Sequence, residues 1–390
     1  MATASSFGIM AASSRYGKWV DQGLSAKAVS PMHVKVVSRR PLRHAFFASS
    51  DRPLRAQVRV LAIPQAGMGA WAFHGWQEKL PKSVEMLPVE LPGRNSRMLE
   101  EKGASMFELV GDLVTALSPH LENKPFVVLG HSLGAWMAFE VCNELERRHG
   151  PKPLCLFVSG CRAPQLHEPM ANDADRVAPC IAGLPAGSGP GSFWAHFERR
   201  YGKNPDLASD SIKEYVEPLL RSDFKILETY EPTREASNKF AFPIHGCGAR
   251  GDNRFTPDQL TAWGAFTDAF DETWFDTAAT MPKWSTPHRY LVDSPDAFVA
   301  FLGPKCEALF KNKPKPPPIR PGSYAVANKK GALVREGVAL DTPQVGDLLP
   351  VGTHVTVDEA VAVPNGKPRA RISAPVAGWL SCHVIAQLLG

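Results

Sequence analysis

No run of apolar residues in this 390-residue chain approaches the roughly 18 needed to cross a bilayer as a helix, which argues against an integral membrane protein. Paired cysteine spacing is missing as well. The seven cysteines (Cys142, Cys155, Cys161, Cys180, Cys247, Cys306 and Cys382) form no C-x-x-C and no Cys/His cluster. Neither a disulfide framework nor a zinc site is therefore expected, and the thiols read as reduced, mostly buried and intracellular. Acids are scarce at the N-terminus: residues 1–50 hold seven Lys/Arg against one Asp and no long apolar stretch. That composition is not a secretory signal. It fits an organelle transit peptide or a disordered basic tail over residues 1–55, and hence a plastid, another organelle or the cytoplasm. The overall charge of +5 is carried by the tails, since residues 311–390 add ten Lys/Arg against five acids and 51–310 is left at about −6. With no basic stripe in the main segment, charge gives no ground for a nucleic-acid partner.

What is present is an alternation of apolar strands and amphipathic helices. Val58–Ile63 and Val84–Val89 read as strands, and 105–120 reads as a helix with Phe107, Val110, Val114 and Leu117 on one face and Leu113 at its edge. Phe126–Leu129 reads as a buried strand and 134–148 as a helix. Leu154–Ser159 and Phe242–Cys247 read as further strands, with helices at 257–270 and around Pro295–Phe310. This rhythm means α/β: a doubly wound, mostly parallel sheet over about 56–310. Residues 164–237 break it with a Gly/Pro-rich patch and helical pieces carrying Phe193, Trp194, Phe197 and Tyr201, the pattern of a helical lid. Most of these rings read as lid packing, with one or two lining an acyl channel. Residues 311–322 (KNKPKPPPIRPG) form a stiff linker, and 323–390 shows short strands broken by glycine, the pattern of a small β-barrel.

The apolar run at 126–129 drives straight into Gly130-His131-Ser132-Leu133-Gly134. A serine at a sharp strand-to-helix turn needs neighbours nearly free of side chains at −2 and +2, and the following helix N-terminus offers N–H groups to an oxyanion. Ser132 is thus a nucleophile candidate. A serine hydroxyl needs a histidine to take its proton and an acid to orient that histidine, and on such a sheet chain order runs Ser, acid, His. The loop after Phe242–Cys247 supplies Asp252; its rival Asp258 sits at a helix start, where the dipole explains an acid. His288 alone follows Asp252 before the linker. His245 lies within a strand and reads as packed, and His131 is expected to point away from the base position. The glycine-containing loop Pro64–Gly69 is placed to offer the N–H of Ala66, or of Gln65, beside that of Leu133 as an oxyanion hole.

Together these segments resemble the type II thioesterases of polyketide and nonribosomal peptide synthesis and the related medium-chain thioesterases of fatty acid synthesis. The matching stretches are Ile63–Gly67, Leu87–Arg94 with Arg97, Gly130–Ala135, Ser159–Pro164, and Pro218–Phe224 with Glu228-Thr229-Tyr230, spanning about 56–303. Two positions depart from the pattern: Ser285-Thr286-Pro287 stands where glycine is usual, and Arg289 where an aromatic is usual. The resemblance implies an α/β-hydrolase fold with a lid and no cofactor or metal. It also implies an acyl substrate on the phosphopantetheine arm of an acyl carrier protein. Arg199, Arg200 and Lys203 on the lid, or the basic tails, are candidate docking charges for that acidic partner. The C-terminal module resembles an SH3-like barrel, which the family does not usually carry. A carboxylesterase or lipase, and a degenerate hydrolase binding through that barrel, are the competing readings.

Overall fold

Strand β1 (Val58–Ile63) buries every residue except the half-exposed Arg59, and β3 (Phe126–His131) buries all six of its residues. Strands covered on both faces read as continuous apolar runs, and these two occupy the middle of a parallel sheet. The computed structural model describes residues 56–121, 124–167, 180–312, 321–339, 341–361 and 368–387. The sheet is completed by β2 (Val84–Pro88), β4 (Leu156–Ser159), β5 (Ile244–Ala249) and β6 (Phe270–Phe275), in the order β2-β1-β3-β4-β5-β6 with every pair parallel. The α-helices of five residues or more, among the described residues, are α1 (Met106–Leu121), α2 (Leu133–Arg147), α3 (Phe193–Tyr201), α4 (Asp210–Glu228), α5 (Pro257–Thr261) and α6 (Asp296–Lys311).

The two faces of β1 sort these helices. Leu61 and Ile63 pack into a cluster with α1 and α2, through Val110, Leu117, Trp136 and Phe139. Val58, Val60 and Ala62 face the other way, against Trp76, Tyr290 and the Phe298 and Leu302 of α6. Period-two strands and period-3.6 helices thus meet in one three-layer sandwich, the α/β fold expected. Helices α3 and α4 carry a separate small core of Ile181, Phe193, Trp194, Phe197, Leu220 and Phe224, so the rings expected to be lid packing are so used. Part of the expected lid, 168–179, lies outside the described residues, as do the leader 1–55 and most of the linker.

Three local expectations need correction. Phe107 is 44% exposed, because the buried face of α1 is set by Met106, Leu109, Val110, Leu113, Val114 and Leu117. The helix expected over 257–270 closes at Thr261, continues as a 3-10 turn to Phe266, and gives way to β6. Strand β6, not among the expected strands, is an edge strand whose Asp271 and Glu272 are exposed, so no apolar alternation marks it.

The chain divides into two units at residues 313/314. The second holds a five-stranded antiparallel sheet of β7 (Gly322–Val326), β8 (His354–Val361), β9 (Arg369–Ala374), β10 (Gly378–Ser381) and β11 (Ile385–Gln387), ordered β10-β9-β8-β7-β11. Tyr324, Val334, Val355, Ile372 and Leu380 fill its core. The run 333–337, expected as a strand, makes only isolated bridges at Arg335. All seven cysteines are free thiols; six are buried and Cys180 is exposed.

Candidate active site

Ser132 occupies the single residue between β3 and α2, at φ 55° and ψ −121°. A non-glycine residue there is strained by roughly 1–3 kcal/mol and persists only where its surroundings over-determine it. Those surroundings explain the glycines. A Cβ on Gly130 would overlap the carbonyl of Gly134, and a Cβ on Gly134 would overlap the carbonyls of Ile63 and Pro64. The elbow is therefore pressed between the start of α2 and the end of β1, leaving the hydroxyl as the part free to project.

The structure brings Ser132, His288 and Asp252 together. His288 sits in a 3-10 turn, Pro287–Arg289, with its Nε2 3.0 Å from Ser132 Oγ and its Nδ1 2.8 Å from Asp252 Oδ2. Asp252 lies in the turn after β5, its side chain wholly buried, and its Oδ1 accepts the Arg254 N–H at 2.9 Å. With Nδ1–H donating to the carboxylate, Nε2 is left to accept from the serine. Asp258 is exposed in the first turn of α5, beside a complete capping box from Thr256 and Gln259. His245 is buried in β5 with Nε2 2.9 Å from Thr273 Oγ1, as a packed core histidine. The unusual Arg289 pairs with Asp293 at 2.7 Å and lies over the Trp284 ring.

Contrary to expectation, His131 does not point away from the base. Its ring lies 5.2 Å from that of His288, and its Nε2 is 2.8 Å from the His288 carbonyl. Nδ1 faces Ser159 Oγ at 3.0 Å, and Ser159 Oγ is 2.7 Å from Tyr290 Oη. One proton order satisfies the chain: Tyr290 donates to Ser159, Ser159 to Nδ1, and Nε2–H to the carbonyl. Complete burial, with the neighbouring His288 adding to it, pushes the His131 pKa down to about 3, so the ring is neutral. Gly160 makes room for it, since a Cβ there would stand 2.6 Å from His131 Cε1.

The loop after β1 passes over the first turn of α2, as the Gly134 contacts require. Gln65–Met68 is a reverse turn closed by Met68 N–H to Gln65 C=O at 3.1 Å, with Gly67 at φ 76° in the position type II turns reserve for glycine. Ala66 sits in that turn, and Leu133 opens α2, so its N–H is one of the helix-terminal donors without an intrahelical acceptor. The lid reaches both halves of the site. Tyr201 at the end of α3 places its ring 5.6 Å from His288, and Gly202 bridges to Ser285 just before the histidine turn. From α4, Leu220 packs where a Gly67 Cβ would stand. Sequence reasoning missed Tyr201 as a neighbour of the histidine because lid aromatics give no positional signal.

Below the loop, Glu90 is buried with both oxygens on Asn95 Nδ2 and one carboxylate oxygen against Gly69. Burial outweighs the neighbouring Asn95 hydrogen bond and the Arg94 and Arg97 charges, and raises its pKa to about 7.

A thioesterase-domain family model matches residues 58–305. The thioesterase PikA5 of Streptomyces venezuelae is 34% identical over 212 residues, covering 54% of this chain and 70% of that protein. The gramicidin S biosynthesis protein GrsT of Aneurinibacillus migulanus is 30% identical over 219 residues, covering 56% of this chain and 80% of its own length. Among solved structures, the RedJ thioesterase of the Streptomyces coelicolor prodiginine pathway superposes with a TM-score of 0.54 at 29% identity, covering 69% of this chain and all of RedJ. With the elbow, the parallel sheet and the lid in place, the chain belongs to the thioesterase-domain family, as its resemblance to type II thioesterases implied.

Proposed function

We propose that the protein hydrolyses acyl chains from the phosphopantetheine arm of an acyl carrier protein by a Ser132–His288–Asp252 mechanism. The observation that carries the reading is the continuous hydrogen-bonded line from Asp252 through His288 to a serine at a strained elbow. Ser132 attacks the thioester carbonyl while His288 Nε2 takes its proton. The N–H groups of Leu133 and Ala66 receive the developing oxyanion. Collapse expels the thiol with the proton from His288 and leaves an acyl-serine. Water, deprotonated by His288, then attacks the acyl carbonyl; the acyl–Oγ bond breaks, His288 returns the proton to Ser132 and the acid leaves, while Asp252 holds the ring in its Nδ1–H tautomer. Each oxyanion donor of this kind stabilises the transition state by about 3 kcal/mol.

The biosynthetic settings in the relatives' names support a carrier-bound substrate, with editing or chain release as the task. Of the three lid residues expected to dock that carrier, Arg200 is 5% exposed and out of play, which leaves Arg199 and Lys203 along with the basic tails. The basic, acid-poor leader supports delivery to a plastid or another organelle, which imaging of a fluorescent fusion tests. For the reaction, initial rates on acyl-carrier protein, acyl-CoA and p-nitrophenyl esters are compared, with Ser132→Ala as control. Preference for thioesters that vanishes in Ser132→Ala supports the reading. Equal turnover of esters supports a carboxylesterase, and activity surviving in Ser132→Ala rejects the mechanism.

A further inference from the structure

A buried ion pair joins the lid to the loop after β1, and no step of the proposed reaction uses it. Arg94, in the loop after β2, donates Nη1 and Nη2 to the two carboxylate oxygens of Asp223 at 2.8 Å each. Asp223 belongs to lid helix α4, and both side chains are almost wholly out of solvent. The same Asp223 Oδ2 accepts the Gly67 N–H at 2.7 Å, and Arg94 Nη1 also donates to the Met68 carbonyl at 2.8 Å. Residues 67 and 68 are thus gripped from both sides, by the amide of one and the carbonyl of the next. Ala66 immediately precedes them in the same reverse turn.

We propose that Asp223, oriented by Arg94, is a positioning residue that fixes the Ala66 amide in line with that of Leu133 and so sets the oxyanion hole from the lid. The inference rests on the reading of Ala66 and Leu133 as oxyanion donors. An N–H aimed at a developing charge is effective only when held there beforehand, and a displacement of about 1 Å costs up to 100-fold in rate. A two-residue grip on the turn supplies that hold, and neither Asp223 nor Arg94 touches the triad in the hydrogen bonds described. Buried ion pairs are otherwise weak contributors to stability, since well-packed apolar pairs of similar volume often replace them without loss. That contrast separates positioning from simple support.

The test uses the full chain with decanoyl-CoA as a soluble thioester, comparing wild type, Asp223→Asn, and the apolar double variant Arg94→Met with Asp223→Leu. Thermal midpoints and the pH profile of kcat/KM accompany kcat and KM, and a decyl trifluoromethyl ketone reports affinity for the tetrahedral adduct. The expected result is a fall in kcat of about 30-fold or more in both variants, with KM within threefold and the pH profile unmoved. Affinity for the ketone should fall in parallel, and it should stay low in the double variant even where the thermal midpoint recovers. Recovery of kcat along with stability overturns the proposal, as does a change confined to KM. Failure of both variants to fold also overturns it, since the pair is then a structural strut. Wild-type enzyme inert toward thioesters, or Ser132→Ala as active as wild type, brings down the parent reading instead.

Discussion

The Nε2 of His131 stands 2.8 Å from the backbone carbonyl of His288, so the residue before the serine holds the main chain of the base. His131→Ala removes the donor to that carbonyl and the acceptor of the Ser159 O–H in a buried site, while Ser159 keeps its contact with Tyr290. It should lower stability by about 2–3 kcal/mol and kcat by roughly tenfold. His131→Gln keeps an N–H near the Nε2 position and should retain more of both. Urea midpoints and steady-state rates of the two variants check this; equal loss in both would mean that the hydrogen bond to His288 is immaterial.

The same ring makes stability depend on pH. Its native pKa of about 3 lies below the usual 6.5, so the unfolded chain binds a proton that the native ring refuses. The contribution is complete above pH 6.5 and is lost as pH falls from there toward 3, by up to about 1.4 kcal/mol per pH unit. Urea titrations from pH 7 to 4 should show this slope in wild type and a shallower one in His131→Gln.

Glu90 acts in the opposite sense. Its native pKa of about 7 lies above the usual 4.5, so the native state holds a proton that the unfolded chain releases between those values. Stability from this group is full below pH 4.5 and lost as pH rises through 7. Glu90→Gln removes the buried charge and should raise the thermal midpoint at pH 8 while changing little at pH 5. A variant less stable at pH 8 would show that the Asn95 contacts, not burial, dominate.

Strain at the elbow predicts a split between stability and activity. Ser132→Ala and Ser132→Gly should both lose at least about 1,000-fold in kcat. At φ 55° only glycine is at ease, so Ser132→Gly should be about 1 kcal/mol more stable than Ser132→Ala. Gly134→Ala, by contrast, drives a methyl into the Ile63 and Pro64 carbonyls, and should cost more than 3 kcal/mol in denaturant titration.

The sheet and the site were legible to different depths. Strands β1 and β3 announce themselves because burial on both faces demands unbroken apolar runs, and Ser132 because its turn tolerates almost nothing but glycine two residues away. Asp252 and His288 followed from chain order on that sheet. Strand β6 was hidden because an edge strand needs little apolar surface. The roles of His131 and Asp223 were hidden for a different reason: each works through a backbone group distant in sequence, of His288 and of Gly67, and a backbone group leaves no mark in the residue pattern.

The cysteines have a practical consequence. Burial pushes the Cys161 thiol up to about 12 and raises those of Cys142, Cys155 and Cys247 as well, so these sulfurs are both shielded and protonated. Cys306 and Cys382 are buried too, while Cys180 lies at the surface, next to the Ile181 that enters the lid core. A maleimide dye added to the native protein should therefore react first at Cys180, the one exposed thiol. The unaltered chain thus carries its own attachment point for a fluorescent probe beside the lid core.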